Sequence, residues 1–375
     1  MKKLFIITGE YSGDKHAADV VREIKKLNPE IEIEAVGGKN LEQAGVKLFC
    51  DHSKMSAMGF NFGIIFNHIM LGEKIAKYLR DEYKPDMVLL TDYGGFNLNL
   101  SKVISKFGFK IYYYIPPQIW ASRKWRLNTV KKNINKVLTI FPFESEMYKK
   151  IGVDVEFVGH PLLNQMPPKT DKSIFFKNNN LDPSKKLISI FPGSRTFEIK
   201  NLLKLFLDSA RIIKSKNENV QFILCQAPNI KDDLIYPLTD KYKDLNIKIM
   251  KNKNYELLSV SDALILASGT VALEAALYQT PMIISYRGPW FLYIIYLLVR
   301  SIKRVCLPNI ILNQYIVPEI LQTKAKPDVI ASNILKIIED EKYNSDMKTS
   351  LSKVKEILHT KGAAHKAAEI IVNDI

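Results

Sequence analysis

The chain has 375 residues, 47% of them hydrophobic, and carries 54 Lys and Arg against 39 Asp and Glu, a net charge of +15. That length and apolar content suffice for two domains, each with its own core. The charge points to an acidic partner, whether nucleic acid, an anionic membrane or a phosphorylated ligand, although a lysine-coated soluble protein from an AT-rich coding sequence fits it equally. The three cysteines, Cys50, Cys225 and Cys306, are scattered without metal or redox spacing. They exclude a disulfide framework and imply a reducing compartment.

The opening "MKKLFIITGE" imitates a signal peptide, but its apolar stretch ends at Gly9-Glu10, too short for a hydrophobic region of that kind. It reads instead as a first strand. Strand-like runs follow at "IEIEAVG", "MVLLTD", "KIYYYI", "KVLTIF" and "VEFVG", with helix-like segments such as 16–27 and 73–82 between them. A polar stretch rich in Pro, Asn and Lys, 164–186, joins this half to a second alternation: "LISIFPG", "VQFILCQA", "IKIMKN", "ALILASG" and "PMIISYR". From about Asp328 the pattern is helical to the end. Strands alternating with helices predict βαβ units, hence an α/β chain of two doubly wound parallel-sheet domains facing a cleft. The expected divisions are 1–165, 166–345 and a helical tail, 346–375, that packs back on the first domain.

Three turns carry candidate chemistry. "TGEYSGDKHAADVV" (8–21) sets Gly9, Ser12 and Gly13 between strand and helix, where ligands bind in an open parallel sheet. An ordinary βα turn with Asp14 capping the helix explains it as well. The spacing is not that of a dinucleotide fingerprint. "LASGTVALE" (266–274) ends a strand in Ser268-Gly269-Thr270 and starts a helix. Unpaired N–H groups and the helix dipole welcome phosphate there, and Glu274 is placed to accept from a ribose diol, although a capped helix start would look the same. "ISIFPGSRTFEIKN" (188–201) leaves a strand through Pro192-Gly193-Ser194 and puts Arg195 at the mouth of the next helix, with Glu198 three residues on. A guanidinium fork suits phosphate. Two such turns in one half point to a nucleotide diphosphate.

The motifs "GEYSGD" (9–14), "VGG" (36–38), "MGF" (58–60), "FPFE" (141–144), "GHP" (159–161), "PGSRTFEI" (192–199), "SGTVALE" (268–274) and "LPN" (307–309) occur in an order that resembles the lipid-A-disaccharide synthases. The likeness covers about residues 4 to 325. It implies a GT-B glycosyltransferase that joins UDP-2,3-diacylglucosamine to 2,3-diacylglucosamine 1-phosphate, releases UDP and inverts the anomeric centre, with no cofactor and no required metal. It implies UDP contacts from Arg195, Glu198, Ser268, Gly269, Thr270, Glu274 and Asn309. It also implies acceptor contacts from Ser12, Gly13 and Asn97, and reaction-centre roles near Glu10, Asp86 and Asp92, with His16 a further candidate base. In one place the chain departs from the family pattern Asp-Ala-Pro-Asp-Phe-Asn: it reads "DYGGFN" (92–97), so Gly95 stands where the second aspartate is expected. Inverting displacement wants a base for the acceptor hydroxyl; Asp92, Asp86, Glu10 and His16 are the candidates.

Membrane contact is legible in "RGPWFLYIIYLLVRSIKR" (287–304), whose apolar run from Pro289 to Val299 is too short to span a bilayer but has basic flanks suited to anionic lipid. "MGFNFGIIFNHIML" (58–71) is a second apolar stretch; two core helices would also account for both. "RKWRLNTVKKNINK" (123–136) adds basic residues around Trp125, a composition shared by nucleic-acid and headgroup binders. The expected partners are a UDP-sugar, an acylated glucosamine phosphate and an anionic membrane, not nucleic acid. The expected place is the cytoplasm, peripherally bound to the inner face of the inner membrane. Another UDP-sugar enzyme of the same fold, such as an epimerase or a different glycosyltransferase, and a non-catalytic UDP-sugar or membrane binder are the alternatives.

Overall fold

The computed structural model describes residues 1–51, 63–121, 125–288, 303–360 and 362–375. The chain divides into two compact units, Met1–Asn164 with Leu358–Ile375, and Gln165–Ile357. The expected tail is therefore split: 346–357 falls in the second unit and 358–375 in the first. The apolar run 289–299 lies outside the described residues, as do 52–62 and 122–124. Among the described residues no helix is long and apolar enough to cross a membrane.

The first unit is built from β1 (Lys3–Ile7), α1 (Tyr11–Leu27), β2 (Glu32–Gly37), α2 (Lys39–Gln43), β3 (Lys47–Asp51), α3 (Gly63–Tyr78), β4 (Met87–Thr91), α4 (Gly94–Ile104), β5 (Lys110–Tyr114), α5 (Arg126–Asn133), β6 (Lys136–Thr139), α6 (Pro142–Lys150) and β7 (Val155–Phe157). The seven strands pair in the order β3-β2-β1-β4-β5-β6-β7, all parallel. Helices cover both faces of such a sheet, so its central strands are apolar throughout rather than alternating. Leu4 to Ile7 and Met87 to Leu90 are accordingly all fully buried. β3 was not legible as a strand because it is an edge: it starts exposed and is only half-buried beyond.

The second unit contains α7 (Lys172–Asn178), β8 (Lys186–Phe191), α8 (Thr196–Lys216), β9 (Val220–Gln226), β10 (Lys248–Lys251), α9 (Asn254–Val260), β11 (Ala263–Ala267), α10 (Val271–Leu277), β12 (Met282–Tyr286), α11 (Leu307–Ile311), β13 (Glu319–Leu321), α12 (Pro327–Glu339) and α13 (Glu341–Leu358). Its six parallel strands run β10-β9-β8-β11-β12-β13. In both sheets the chain order reverses once, between β1 and β4 and between β8 and β11. At such a point adjacent loops diverge and leave a crevice at the carboxyl ends of the strands. The last helix, α14 (Ala363–Asp374), packs on α1 in the first unit. There Asp374 accepts from the Tyr112 hydroxyl at 2.6 Å and from Lys136 Nζ at 2.9 Å.

Two motifs serve this frame. Asp14 does not cap its own helix, whose N-cap is Glu10. Its buried carboxylate instead accepts from the backbone N–H of Gly38 at 2.6 Å and of Asn40 at 2.9 Å, and from the Asn40 amide at 2.8 Å. The "GEYSGD" and "VGG" turns are thus one construction. A Cβ on Gly37 would lie 2.4 Å from Leu41 and 3.1 Å from the Asp14 carboxylate.

The "FPFE" motif buries Glu144 in the first turn of α6, 2% exposed, where it accepts from Trp120 Nε1 at 2.9 Å. Burial pushes its carboxyl up to about 8, against the pull of the Trp120 hydrogen bond. Between its ordinary value of 4.5 and about 8, the folded chain keeps a proton that the unfolded chain releases. Stability contributed by this group therefore falls as pH rises through that window. Glu144→Gln, neutral throughout, is expected to gain on the wild type by up to about 1.4 kcal/mol per pH unit across it. Urea unfolding of both proteins from pH 5 to 9 measures this, and parallel stability curves would contradict it.

Candidate functional site

The turn after β8 is held from beneath. Glu198 is buried, and its Oε2 accepts from the N–H groups of Ser194 at 2.9 Å and Arg195 at 3.2 Å. Gly193 has φ +115°, and a Cβ there would lie 2.3 Å from that carboxylate, so only glycine fits. Asn229 fixes the turn from the other side, donating to the Ser194 carbonyl at 2.6 Å. Glu198 is therefore a clamp on the turn. The Arg195 side chain, in contrast, is 81% exposed, with one long contact of 3.4 Å to Glu198 Oε1.

That guanidinium borders a cavity of about 210 Å³ in the second unit, which Ser268, Gly269, Thr270 and Glu274 also line. β8 and β11 are neighbours, so both predicted phosphate-facing turns open into one volume. Gly269 has no atom within 4 Å of where a Cβ would stand. Burial raises the Glu274 carboxyl above its usual range, opposed by a hydrogen bond from Tyr255. The arrangement offers one cation, a helix start with its unpaired N–H groups, and one carboxylate acceptor. Together they suit a phosphorylated ligand with vicinal hydroxyls.

Asn309 does not belong to this group. It is fully buried; its amide donates to the Val317 carbonyl and Glu319 Oε1, both at 2.8 Å, and its oxygen accepts from the N–H groups of Ile316 and Val317, both at 2.9 Å. All four hydrogen-bonding positions of the side chain are spent on its own loop, which leaves none for a nucleotide.

In the first unit the β1–α1 and β4–α4 loops meet at the reversal point. Asp92 and Tyr93 both adopt left-handed backbone, φ 52° and 50°. Such conformations cost of order 1 kcal/mol each and persist only when held. The hold comes from below: the Asp92 carbonyl accepts from the Asn97 amide at 2.8 Å and the Tyr113 hydroxyl at 2.7 Å. Asn97, fully buried, thus positions Asp92 rather than meeting an acceptor. Asp92 Oδ2 accepts from the exposed Ser12 hydroxyl at 3.4 Å. Gly13 lies under Asp92, where a Cβ would stand 3.3 Å from that of Asp92, and a Cβ on Gly9 would collide with the Tyr93 ring at 2.0 Å. His16 is near enough for Asp92 to favour its charged form, but burial dominates and lowers its pKa. Ser12, His16 and Asp92 therefore converge, while Glu10 is exposed at the start of α1.

Asp86 is at the wrong end of the sheet. It precedes β4, whereas Asp92 follows it. Its carboxylate accepts from the Lys3 N–H at 2.8 Å, which lowers its pKa, and pairs with Lys2. A five-residue strand lies between the two aspartates, and six residue steps of extended chain set them roughly 20 Å apart.

Other residues near the sites were given no site role by the sequence. His160 of the "GHP" motif is driven down to about 3 by burial and by His16, and its Nδ1 accepts from the Leu162 N–H at 3.2 Å. His68 pairs with the Tyr93 hydroxyl at 2.9 Å and lines, with Gly95 and Phe96, a cavity of about 540 Å³ beside α4. A Cβ on Gly95 would meet nothing within 4 Å, so a carboxylate has room there. Cys225 and Asn254 join the second-unit cavity only because β9 pairs with β8 and β10 with β9. Among the described residues no group of three or more His, Cys, Asp or Glu is arranged to hold a metal ion.

Comparison with known proteins agrees with this architecture. The structure superposes on a UDP-GlcNAc 2-epimerase from Neisseria meningitidis bound to UDP-GlcNAc, with a TM-score of 0.63 at 13% identity, covering 100% of this chain and 99% of that one. A glycosyltransferase from Rickettsia africae gives 0.58 at 15% identity, covering 100% and 98%. Both carry the GT-B fold of two parallel-sheet domains. In sequence, the lipid-A-disaccharide synthase of Geobacter sulfurreducens is 33% identical over 99% of this chain and 96% of its own length, and that of Coxiella burnetii is 34% identical over 99% and 98%. The family model for lipid-A-disaccharide synthetase matches residues 4–373. With that match along almost the whole length, the chain belongs to the lipid-A-disaccharide synthetase family, the glycosyltransferases of lipid A synthesis.

Proposed function

We propose that the chain joins UDP-2,3-diacylglucosamine to 2,3-diacylglucosamine 1-phosphate, releasing UDP and inverting the anomeric centre without a required metal. The observation that carries the donor half is the second-unit cavity, where an exposed arginine, a Ser-Gly-Thr turn and a desolvated glutamate face one volume. Arg195 lies against the diphosphate, Ser268, Gly269 and Thr270 receive phosphate oxygens, and Glu274 accepts from the ribose hydroxyls. The UDP-GlcNAc held by the Neisseria epimerase supports a UDP-sugar for a cavity in this fold.

In the transfer step the acceptor hydroxyl oxygen bonds to the sugar C1 as the bond from C1 to the diphosphate breaks. The hydroxyl proton passes to Asp92, and the departing charge is met by Arg195. Asp92 is supported as the base because it is the carboxylate at the reversal point of the first sheet, oriented by Ser12 and held from beneath by Asn97 and Tyr113. The enzyme works peripherally at the inner face of the inner membrane; its charge of +15 and the apolar run 289–299 with its basic flanks support that place. Gly95 favours one second reading, a divergent member that takes another acceptor or none. Mass spectrometry of the products from the diacylated donor and acceptor tests the assignment: an acylated disaccharide phosphate with UDP in equal amount is expected, and UDP-independent or absent product would overturn it.

Arg195→Ala should lower kcat/KM by roughly tenfold or more, the loss of one charge-assisted contact to phosphate. Steady-state kinetics on a variant with wild-type melting behaviour measures it, and unchanged kinetics would return Arg195 to an ordinary surface residue. Asp92→Asn keeps shape but not basicity, so turnover at saturating substrates should fall by about 10²–10⁴-fold while UDP affinity holds. Because the space at Gly95 is open, Gly95→Asp should restore much of that loss in the double variant. Unchanged turnover in Asp92→Asn would shift the proton to His16 or Glu10.

A further inference from the structure

The Asp92 turn has a second hold besides Asn97 and Tyr113, and it comes from α6. Segment 115–121, after β5, sets Pro117 against Gly94: a Cβ on Gly94 would lie 2.4 Å from that of Pro117. The Ile119 N–H donates to the Pro117 carbonyl at 2.7 Å, which folds the segment tightly. Trp120 follows, 9% exposed; its indole N–H donates to Glu144 and its ring meets that of Phe143 edge-on, centroids 5.1 Å apart. Phe143 and Glu144, both of the "FPFE" motif, thus clasp Trp120. Through Trp120 and Pro117 they back the turn that carries Asp92.

The clasp depends on a proton. Glu144 Oε2 has no hydrogen-bond partner among the described residues. Ionisation in place would leave a buried charge with one oxygen unsatisfied, a costly state. An opening of segment 115–121 that admits water relieves it, and there the carboxyl returns from about 8 toward its ordinary 4.5. Between those values the closed form keeps a proton that the open form releases, so each pH unit favours opening by up to about tenfold. The groups around Glu144 do not titrate with it. Burial, and then Glu144 itself, push Tyr148, one turn on in α6, upward. Burial also raises Tyr113 of β5, and the Arg126 charge acts there in the opposite sense. His160, packed on Phe141 with ring centroids 5.0 Å apart, is driven down to about 3 by burial and by His16. All three stay neutral while Glu144 titrates.

We propose that neutral Glu144 is a positioning residue for the transfer step: it keeps segment 115–121 closed on the Asp92 turn, and its ionisation opens that segment and slows turnover at alkaline pH. With Pro117 withdrawn from Gly94, the left-handed Asp92–Tyr93 backbone loses a support on which such a conformation depends. A carboxylate displaced from its line to the acceptor hydroxyl loses rate steeply, because transfer needs the two in near-attack geometry. The inference rests on the reading of Asp92 as the base and adds what holds it in line and when that hold fails.

Two measurements on the full-length protein test the proposal. Trp125→Phe with Trp290→Phe leaves Trp120 the one tryptophan of the chain. Its emission is expected to move to longer wavelength, reversibly and with unchanged far-ultraviolet dichroism, as the pH rises from about 6 to about 9. Glu144→Gln, which still accepts from the indole N–H but carries no charge, should abolish that shift. Over the same range kcat at saturating substrates should fall by about tenfold or more in the wild type and stay level in Glu144→Gln. An emission that does not move with pH, or moves equally in Glu144→Gln, overturns the pH-dependent clasp. An alkaline fall in kcat that is the same in both proteins overturns the positioning role. A shift that depends on Glu144 in a protein with no turnover on the diacylated pair at any pH would overturn the transfer reading alone and leave the clasp standing.

Discussion

The carboxylate of Glu198 under the Pro192–Arg195 turn is the contact on which the shape of the second-unit cavity depends. It satisfies two N–H groups of a turn that bends through a left-handed glycine, and so fixes where Arg195 leaves the backbone. The arrangement resolves an apparent conflict of charge. A glutamate three residues after an arginine that borders a cavity would set a negative charge beside it if it too faced the cavity. Buried and spent on backbone donors, it shapes the turn and leaves the exposed guanidinium as the charge on that side of the cavity.

The first unit repeats this economy at its own reversal point. Asp14 ties the β1–α1 turn to the start of α2, and Asn97 with Tyr113 holds Asp92 in a backbone conformation it would not adopt alone. In each case a buried polar side chain is spent on the backbone of a neighbouring loop, which is thereby fixed. Preorganisation of this kind is what transfer chemistry needs, because a base or a cation that must first be ordered spends binding energy on its own alignment. The glycines at 9 and 13 belong to the same design: they let the Asp92–Tyr93 turn lie directly on the neighbouring loop.

Much of this was legible in the residues. Uninterrupted apolar runs alternating with helical segments identify parallel strands, because only strands covered on both faces can be apolar throughout. Turn residues at the ends of those runs mark the carboxyl edge, and with it Arg195, Ser268 to Thr270, Glu274 and Asp92. β3 and β13 escaped because edge strands need no apolar run. Asn309 and Asn97 escaped for another reason: a polar residue in a motif looks the same whether it faces a ligand or pins a loop.

Sequence by itself therefore determined the fold class, the two alternations, the turns at the carboxyl ends of the strands and the family, since each is written in contiguous residues. Tertiary structure alone decided which polar groups are free to act. Asp86 and Asp92 flank one strand with equal claims as bases until the strand direction sends them to opposite ends of the sheet. Cys225 and Asn254 stand far apart in the chain and come together because β9 and β10 pair. A hydrogen-bonding group has few valences, and whether the fold has already used them is settled by partners that local sequence does not name.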